Sequence, residues 1–183
     1  MSDNAAQTIR VAGIVNDSIT DGPGLRLAIF MQGCLRGCPG CHNPSALPLK
    51  GGEPYSAAAL YDRVKANPLL SGVTFSGGEP LLQAAALIPL AKKIRRAGYA
   101  LSIYTGYTFE TLLNENDADK LSLLRCADTL VDGPFILAER DLSLLFRGSK
   151  NQRILDVAQS LKKGYACPQT APGWQKQSTA PFC

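Results

Sequence analysis

The segment Gly33-Cys34-Leu35-Arg36-Gly37-Cys38-Pro39-Gly40-Cys41-His42-Asn43-Pro44 places three thiols at C-x3-C-x2-C spacing on one loop rich in Gly and Pro. Three thiolates on so short a loop can converge without bending a helix or strand, and soft sulfur donors select iron-sulfur clusters, zinc or copper(I). The count of three is informative. Structural zinc takes four ligands, usually as two separated pairs, and an electron-carrying cube normally has four cysteines. Three cysteines on a 4Fe-4S cube leave one iron free to bind something else. An open iron points to catalysis.

The same residues contain Cys38-Pro39-Gly40-Cys41-His42, the C-x-x-C-H pattern of covalent haem attachment. Context argues against that reading. No export signal precedes it, Met31 is the only methionine besides Met1, and Cys34 would be left without a role. Cys126, Cys167 and Cys183 lie far apart in the chain and read as free thiols, with Cys126 expected to be buried. His42 is the sole histidine, so a Ser-His-Asp triad, an H-E-x-x-H zinc site or a multi-histidine iron site has at most one residue to draw on.

A second constellation is Ser76-Gly77-Gly78-Glu79-Pro80, which follows an apolar run and opens a helical pattern. Two glycines let a backbone approach a bound ligand closely, and a carboxylate with exposed loop groups can hold an ammonium. By itself a Gly-Gly turn after a strand is ordinary loop geometry.

The elements that must position these loops follow from period. Residues 27–31, 73–75, 100–104 and 129–131 read as buried strands. Ser56 can cap a helix carrying Leu60 and Val64 that stops at Asn67-Pro68. After Pro80, the residues Leu87, Leu90, Ala91, Ile94 and Ala97 recur every three or four positions, with late basic residues and Gly98 as a left-handed cap. Pro89 should kink this helix or mark its first turn. Strand-helix-strand at this spacing implies right-handed βαβ units, with functional loops at the carboxyl ends of the strands. A complete eight-unit barrel typically needs about 250 residues. The patterned region spans only residues 8–157, so the expected fold is α/β, a partial and open (β/α) barrel with mostly parallel strands.

The 183 residues, 45% hydrophobic and 19% charged, are ordinary for a globular chain and exclude a fibrous or disordered one. No apolar stretch approaches the roughly 20 residues of a membrane-spanning helix. Residues 1–7 carry no basic residue and no long apolar core, so they do not read as a secretory signal, and a cytoplasmic, reducing home is expected. The net charge of +4 comes partly from Lys92, Lys93, Arg95 and Arg96, a solvated helix face rather than a nucleic-acid track. One domain over residues 1–157 is expected. Residues 158–183 read as a helix end and a mobile tail rich in Pro, Gln, Ser and Thr.

The cysteine loop and the G-G-E-P segment, in this order, resemble the radical S-adenosylmethionine superfamily. Within it, Thr20-Asp21-Gly22-Pro23-Gly24-Leu25-Arg26 before the first parallel strand and Cys41-His42-Asn43 are similar to the activases of glycyl-radical enzymes. Tyr104-Thr105-Gly106-Tyr107, Leu130-Val131-Asp132-Gly133-Pro134-Phe135 and Arg147-Gly148-Ser149-Lys150-Asn151-Gln152 look like the branch that activates anaerobic (class III) ribonucleoside-triphosphate reductases. A formate-lyase-like partner is the nearer alternative, and a non-catalytic iron-sulfur or zinc protein the distant one.

This resemblance implies that Cys34, Cys38 and Cys41 hold one 4Fe-4S cluster. It implies S-adenosyl-L-methionine contacts at Gly40, Cys41, His42, Ser76, Gly77, Gly78, Glu79, Thr105 and Asp132, and partner contacts at Asp21, Gly22, Arg26, Arg147 and Asn151. The implied partners are the large glycyl-radical reductase subunit as protein substrate and flavodoxin or ferredoxin as electron donor. Neither nucleic acid nor membrane is among them. Gly40 stands where many members place an aromatic residue.

Overall fold

The computed structural model describes residues 8–175. Its strands are β1 (Ile9–Ser18), β2 (Arg26–Met31), β3 (Glu53–Tyr55), β4 (Gly72–Gly77), β5 (Ala100–Tyr104), β6 (Thr129–Asp132) and β7 (Arg153–Asp156). Its helices are α1 (Ala57–Ala66), α2 (Ala84–Arg96), α3 (Phe109–Glu115), α4 (Ala118–Leu124) and α5 (Val157–Lys163). The strands form one sheet in the order β3-β1-β2-β4-β5-β6-β7. The four central strands β2, β4, β5 and β6 are mutually parallel. At one end β1 runs antiparallel to both β2 and β3, and at the other β7 runs antiparallel to β6. The expected partial α/β barrel is therefore present as a parallel heart with antiparallel flanks.

Strand parity organises the site. On one face Leu27, Ile29, Val73, Phe75, Leu101, Ile103 and Leu130 join α2 residues Leu87, Leu90, Ala91 and Ile94 in the apolar core. On the other face lie Arg26, Thr74, Ser76, Ser102 and Tyr104, because successive side chains alternate across a strand. The alternation is unusual for parallel strands buried on both faces, which normally read as continuous apolar runs. Here the polar face is the inner wall of a cavity.

Local signals act as the residue types require. Ser56 Oγ accepts from Ala59 N at 3.1 Å at the start of α1. Residues Pro80–Gln83 form a 3-10 turn, and α2 continues through Pro89, which lies on its exposed side and within the helix rather than in its first turn. Pro54 sits on the edge strand β3, where a missing donor costs least.

Past Gly164, whose left-handed backbone ends α5, the chain departs from the expected tail. Residues 165–175 dock against the body. Asp156 N donates to Cys167 O at 2.9 Å and Gln169 N to Ile154 O at 2.9 Å, which ties this segment to the outer edge of β7. Cys167 is buried and Cys126 only half-buried, the reverse of the expected emphasis. Trp174 is 8% exposed. A sequence without period can still be held by backbone pairing and one large aromatic anchor. Cys183 and Phe182 lie outside the described residues.

Candidate cluster and cofactor site

A cavity of about 600 Å³ opens at the carboxyl ends of the parallel strands, within the usual range for small-molecule sites of about 300–1,000 Å³. Cys34, Cys38 and Cys41 all line it, with Ser76, Gly77 and Gly78 beside them and Tyr104, Thr105 and Gly106 next along the sheet. Among the described residues, no three Cys, His, Asp or Glu side chains are gathered tightly enough to hold a single metal ion. Three thiols on one wall suit a polynuclear cluster with one thiolate per iron, whereas structural zinc takes four protein ligands. Burial pushes the Cys34 thiol above its usual range, partly opposed by the Arg36 N–H that donates to its sulfur at 3.4 Å.

The cysteine loop is knitted to the turn after β4. Gly78 N donates to Met31 O and Glu79 N to Gly33 O, both at 2.8 Å. A Cβ on Gly77 would lie 2.6 Å from Met31 N, and one on Gly78 would lie 2.4 Å from Gly33 O. Gly77 thus lets the backbone lie against the end of β2 and Gly78 against the cysteine loop, the close approach expected toward a ligand being made first to protein.

Glu79 also serves the scaffold. Its carboxylate accepts from Leu81 N at 3.1 Å, Thr105 Oγ1 at 2.8 Å and Gly106 N at 2.9 Å, and it is 1% exposed. Burial raises its pKa, opposed by those donors and by Arg36. Rather than pointing into the cavity as an ammonium acceptor, it locks the exits of β4 and β5 together. Asp132 departs further from expectation. It shares strand parity with Leu130, so it faces the helices, where it accepts from Phe109 N at 2.8 Å and from Arg153 at 2.5 and 3.0 Å. It does not line the cavity. Gly133, the next residue, does.

The remaining expected residues divide by location. His42 lines the cavity and packs on Phe135 with ring centroids 4.5 Å apart. Gly40 does not line it: its left-handed backbone lies under Leu137, whose Cδ1 would be 2.9 Å from a Cβ at that position. Leu137 therefore occupies the space an aromatic side chain would need. Asp21 lines the cavity and accepts from Ser18 Oγ at 2.5 Å, while Gly22 lies over the Arg26 side chain. Arg147 also lines it, donating from Nη1 to Gln152 O at 2.8 Å, and Asn151 braces Pro134 O at 2.8 Å.

Arg26, expected at the partner surface, is 1% exposed. Its guanidinium donates to Thr74 Oγ1 and Val73 O at 2.7 Å and to Ser102 Oγ at 3.0 Å. Desolvation lowers its pKa to about 10. It cross-links β2, β4 and β5 beneath the cavity and cannot touch another protein.

Several residues went unrecognised in the sequence. The Arg36 guanidinium stacks 3.9 Å from the Tyr107 ring centroid, and Lys120 Nζ lies 4.4 Å from the same ring. This stack pins the middle of the cysteine loop to the exit of β5, and no spacing rule joins residues so far apart. Tyr104 OH and Arg147 Nε are buried without a hydrogen-bond partner, both on residues lining the cavity. Buried polar atoms left so are costly unless a ligand completes them. A cavity with unmatched donors, backbone glycines and three thiols fits a cluster together with an elongated polar cofactor.

Comparison with known proteins agrees. Residues 20–155 match the family described as a 4Fe-4S single cluster domain. The chain is 33% identical over 142 residues to the anaerobic ribonucleoside-triphosphate reductase-activating protein of Escherichia coli K12, covering 73% of this chain and 90% of that protein. It is 35% identical over 148 residues to the Vibrio cholerae protein of the same name, covering 74% and 90%. It is also 35% identical over 128 residues to the pyruvate formate-lyase-activating enzyme of Clostridium pasteurianum, covering 65% of this chain and 54% of that one.

Proposed function

Because the chain belongs to the family of anaerobic ribonucleoside-triphosphate reductase-activating proteins, radical S-adenosylmethionine activases with one 4Fe-4S cluster domain, we propose that it installs a glycyl radical in the large subunit of such a reductase. The observation that carries this reading is the joining of the cysteine loop to the Gly77-Gly78 turn on one wall of a cavity at the carboxyl ends of parallel strands. A 4Fe-4S cluster held by Cys34, Cys38 and Cys41, with S-adenosylmethionine beside it, would supply one-electron reductive chemistry able to remove a hydrogen atom from a glycine of the partner.

The chain's own residues bind, orient and exclude water. Cys34, Cys38 and Cys41 are the cluster ligands. Ser76, Gly77 and Gly78 present backbone to the methionine end, held in place by Glu79 through Thr105 and Gly106. His42, on Phe135, is the adenine-side surface. Asp132 acts at a distance, by fixing Arg153 and the start of α3. Asp21 and Arg147, on opposite connections of the sheet, face the incoming polypeptide. No acid-base pair is needed for hydrogen-atom transfer, consistent with a chain whose one histidine lies at the cluster loop. The open side of the cavity is closed by the partner, which keeps water and stray hydrogen donors out.

Flavodoxin or ferredoxin is the electron donor in this reading, and the cytoplasm its setting. No described helix is long and apolar enough to cross a membrane. The test is anaerobic reconstitution with iron and sulfide, reduction by dithionite, addition of S-adenosylmethionine and chromatography of 5'-deoxyadenosine. Product that disappears in Cys38→Ala supports the chemistry. A well-formed, reducible cluster that yields none, with or without the reductase, would sink it. The C. pasteurianum likeness keeps a formate-lyase-type partner as the second reading, and the glycine-bearing protein that gains the radical signal decides between them.

A further inference from the structure

The family match ends at residue 155, yet the chain continues in ordered form to Gln175. This continuation does not run off into solvent. It pairs along the edge of β7, with Leu155 opposite Pro168, and Gln169 Nε2 donates to Thr129 Oγ1 at 3.1 Å on the cavity-side parity of β6. It then crosses to the far side of the open barrel. Gly173 comes against Pro23, where a Cβ would lie 2.9 Å from the proline Cβ. The Trp174 ring sits over Gly22, with Cη2 3.2 Å from where a Cβ would be. The same indole meets Phe146 edge-on, with centroids 5.3 Å apart and planes at 75°.

Gly22 and Phe146 are the direct chain neighbours of Asp21 and Arg147, the two charged cavity residues assigned to the incoming polypeptide. Asp21 is on the β1–β2 connection and Arg147 on the β6–β7 connection, at opposite ends of the parallel heart, and no ion pair joins them among the described residues. Phe146 has a left-handed backbone, φ 55°, which a bulky residue adopts only when its surroundings hold it there. Trp174 supplies such a hold and touches both connections at once. It does not itself line the cavity.

We propose that residues 165–175 form a brace bridging the β1–β2 and β6–β7 connections outside the cavity, and that Trp174 is a positioning residue that sets Asp21 and Arg147 at a fixed separation to receive the partner polypeptide. The inference rests on the activase reading. The cysteine loop and the turn after β4 are positioned without the brace, so loss of the indole affects partner engagement and leaves cofactor chemistry in place.

The experiment compares reconstituted wild type, Trp174→Ala and Trp174→Phe. All three are measured for iron content, for 5'-deoxyadenosine formed with dithionite and no partner, and for the reductase concentration giving half-maximal glycyl radical by EPR. The expected result for Trp174→Ala is iron content and partner-free 5'-deoxyadenosine within about twofold of wild type, with half-saturation raised about tenfold or more. Trp174→Phe, which keeps an aromatic edge against Phe146, should recover most of the loss. A readout free of activity is available because Trp174 is the only tryptophan. Labelled with 5-fluorotryptophan, it gives one 19F resonance, which should shift when the reductase is added. Unchanged half-saturation in Trp174→Ala overturns the proposal, as does a fall in iron content or partner-free product, which would make the indole a general fold element. Failure of wild type to form 5'-deoxyadenosine at all would instead overturn the activase reading, while the 19F shift would still report on the brace.

Discussion

Thr105 Oγ1 donates to Glu79 Oε1 at 2.8 Å, tying the exit of β5 to the exit of β4 through a carboxylate with almost no contact with water. Thr105 Oγ1 also accepts from Tyr107 N at 3.1 Å. Replacing Thr105 by Val keeps the shape and removes both bonds, leaving a buried carboxylate oxygen and a backbone donor short of partners. The expected loss is about 1–3 kcal/mol in urea unfolding, and Thr105→Ser should restore stability to within about 1 kcal/mol. A Thr105→Val protein as stable as wild type would show that water replaces the hydroxyl.

Arg36, between Cys34 and Cys38 in the chain, lines the same cavity as the thiols and lays its guanidinium on Tyr107. Gaining an electron makes a cluster more negative, so a nearby cation favours the reduced form. Arg36→Gln should move the midpoint potential of the reconstituted cluster downward, and Arg36→Lys should move it less. An EPR-monitored redox titration checks both. A midpoint that is the same in all three proteins would mean that the guanidinium acts only through stacking.

Arg153 bridges fully buried Asp132 and half-exposed Glu110. Removing it as Arg153→Ala strands a buried carboxylate, with an expected cost of about 3–5 kcal/mol. Glu110 contributes less, since its side chain is half in water. Hydrogen bonding from Arg153 lowers the Glu110 pKa below its ordinary value. Its contribution is therefore complete above the ordinary carboxylate range and is lost as pH falls through the depressed folded value. The gap in Tm between wild type and Glu110→Gln should shrink on acidification, and a gap that widened would reverse this assignment.

Arg26 serves three strands through one planar fork. Lysine carries the charge without the geometry and cannot meet Thr74, Val73 and Ser102 together. Each charged hydrogen bond is worth about 1.5–3 kcal/mol, so Arg26→Lys should lower stability by at least one such bond in chemical denaturation. A partner-binding defect with unchanged stability would return Arg26 to the surface role that its burial denies.

Much of this molecule is legible in its residues. Short-range chemistry reads directly: the C-x3-C-x2-C loop, the glycine turn after a strand, the Ser56 cap and the period of α2 each depend on residues a few positions apart. Residues 100–104 were expected as a strand and β5 has those bounds. β1 and β7 do not stand out among the expected strands, because a strand interrupted by bulges and a four-residue antiparallel strand at the sheet edge have too little alternation. The short helices α3 and α4 and the ordered run after Gly164 escaped for the same reason.

The residue types by themselves determined that three thiols share one loop, that a Gly-Gly turn follows a parallel strand, and that the chain is a partial α/β barrel. Only the tertiary structure decided which way each polar side chain faces. Strand parity turns Asp132 to the helices and Thr129 to the opposite face, where Gln169 meets it, and burial makes Arg26 a cross-link between strands. The approach of β4 to the cysteine loop turns Glu79 from a ligand candidate into a lock. Residues 22, 146 and 174 meet because the C-terminal run returns past the β1–β2 and β6–β7 connections, a contact between segments too distant in sequence for any local pattern to encode.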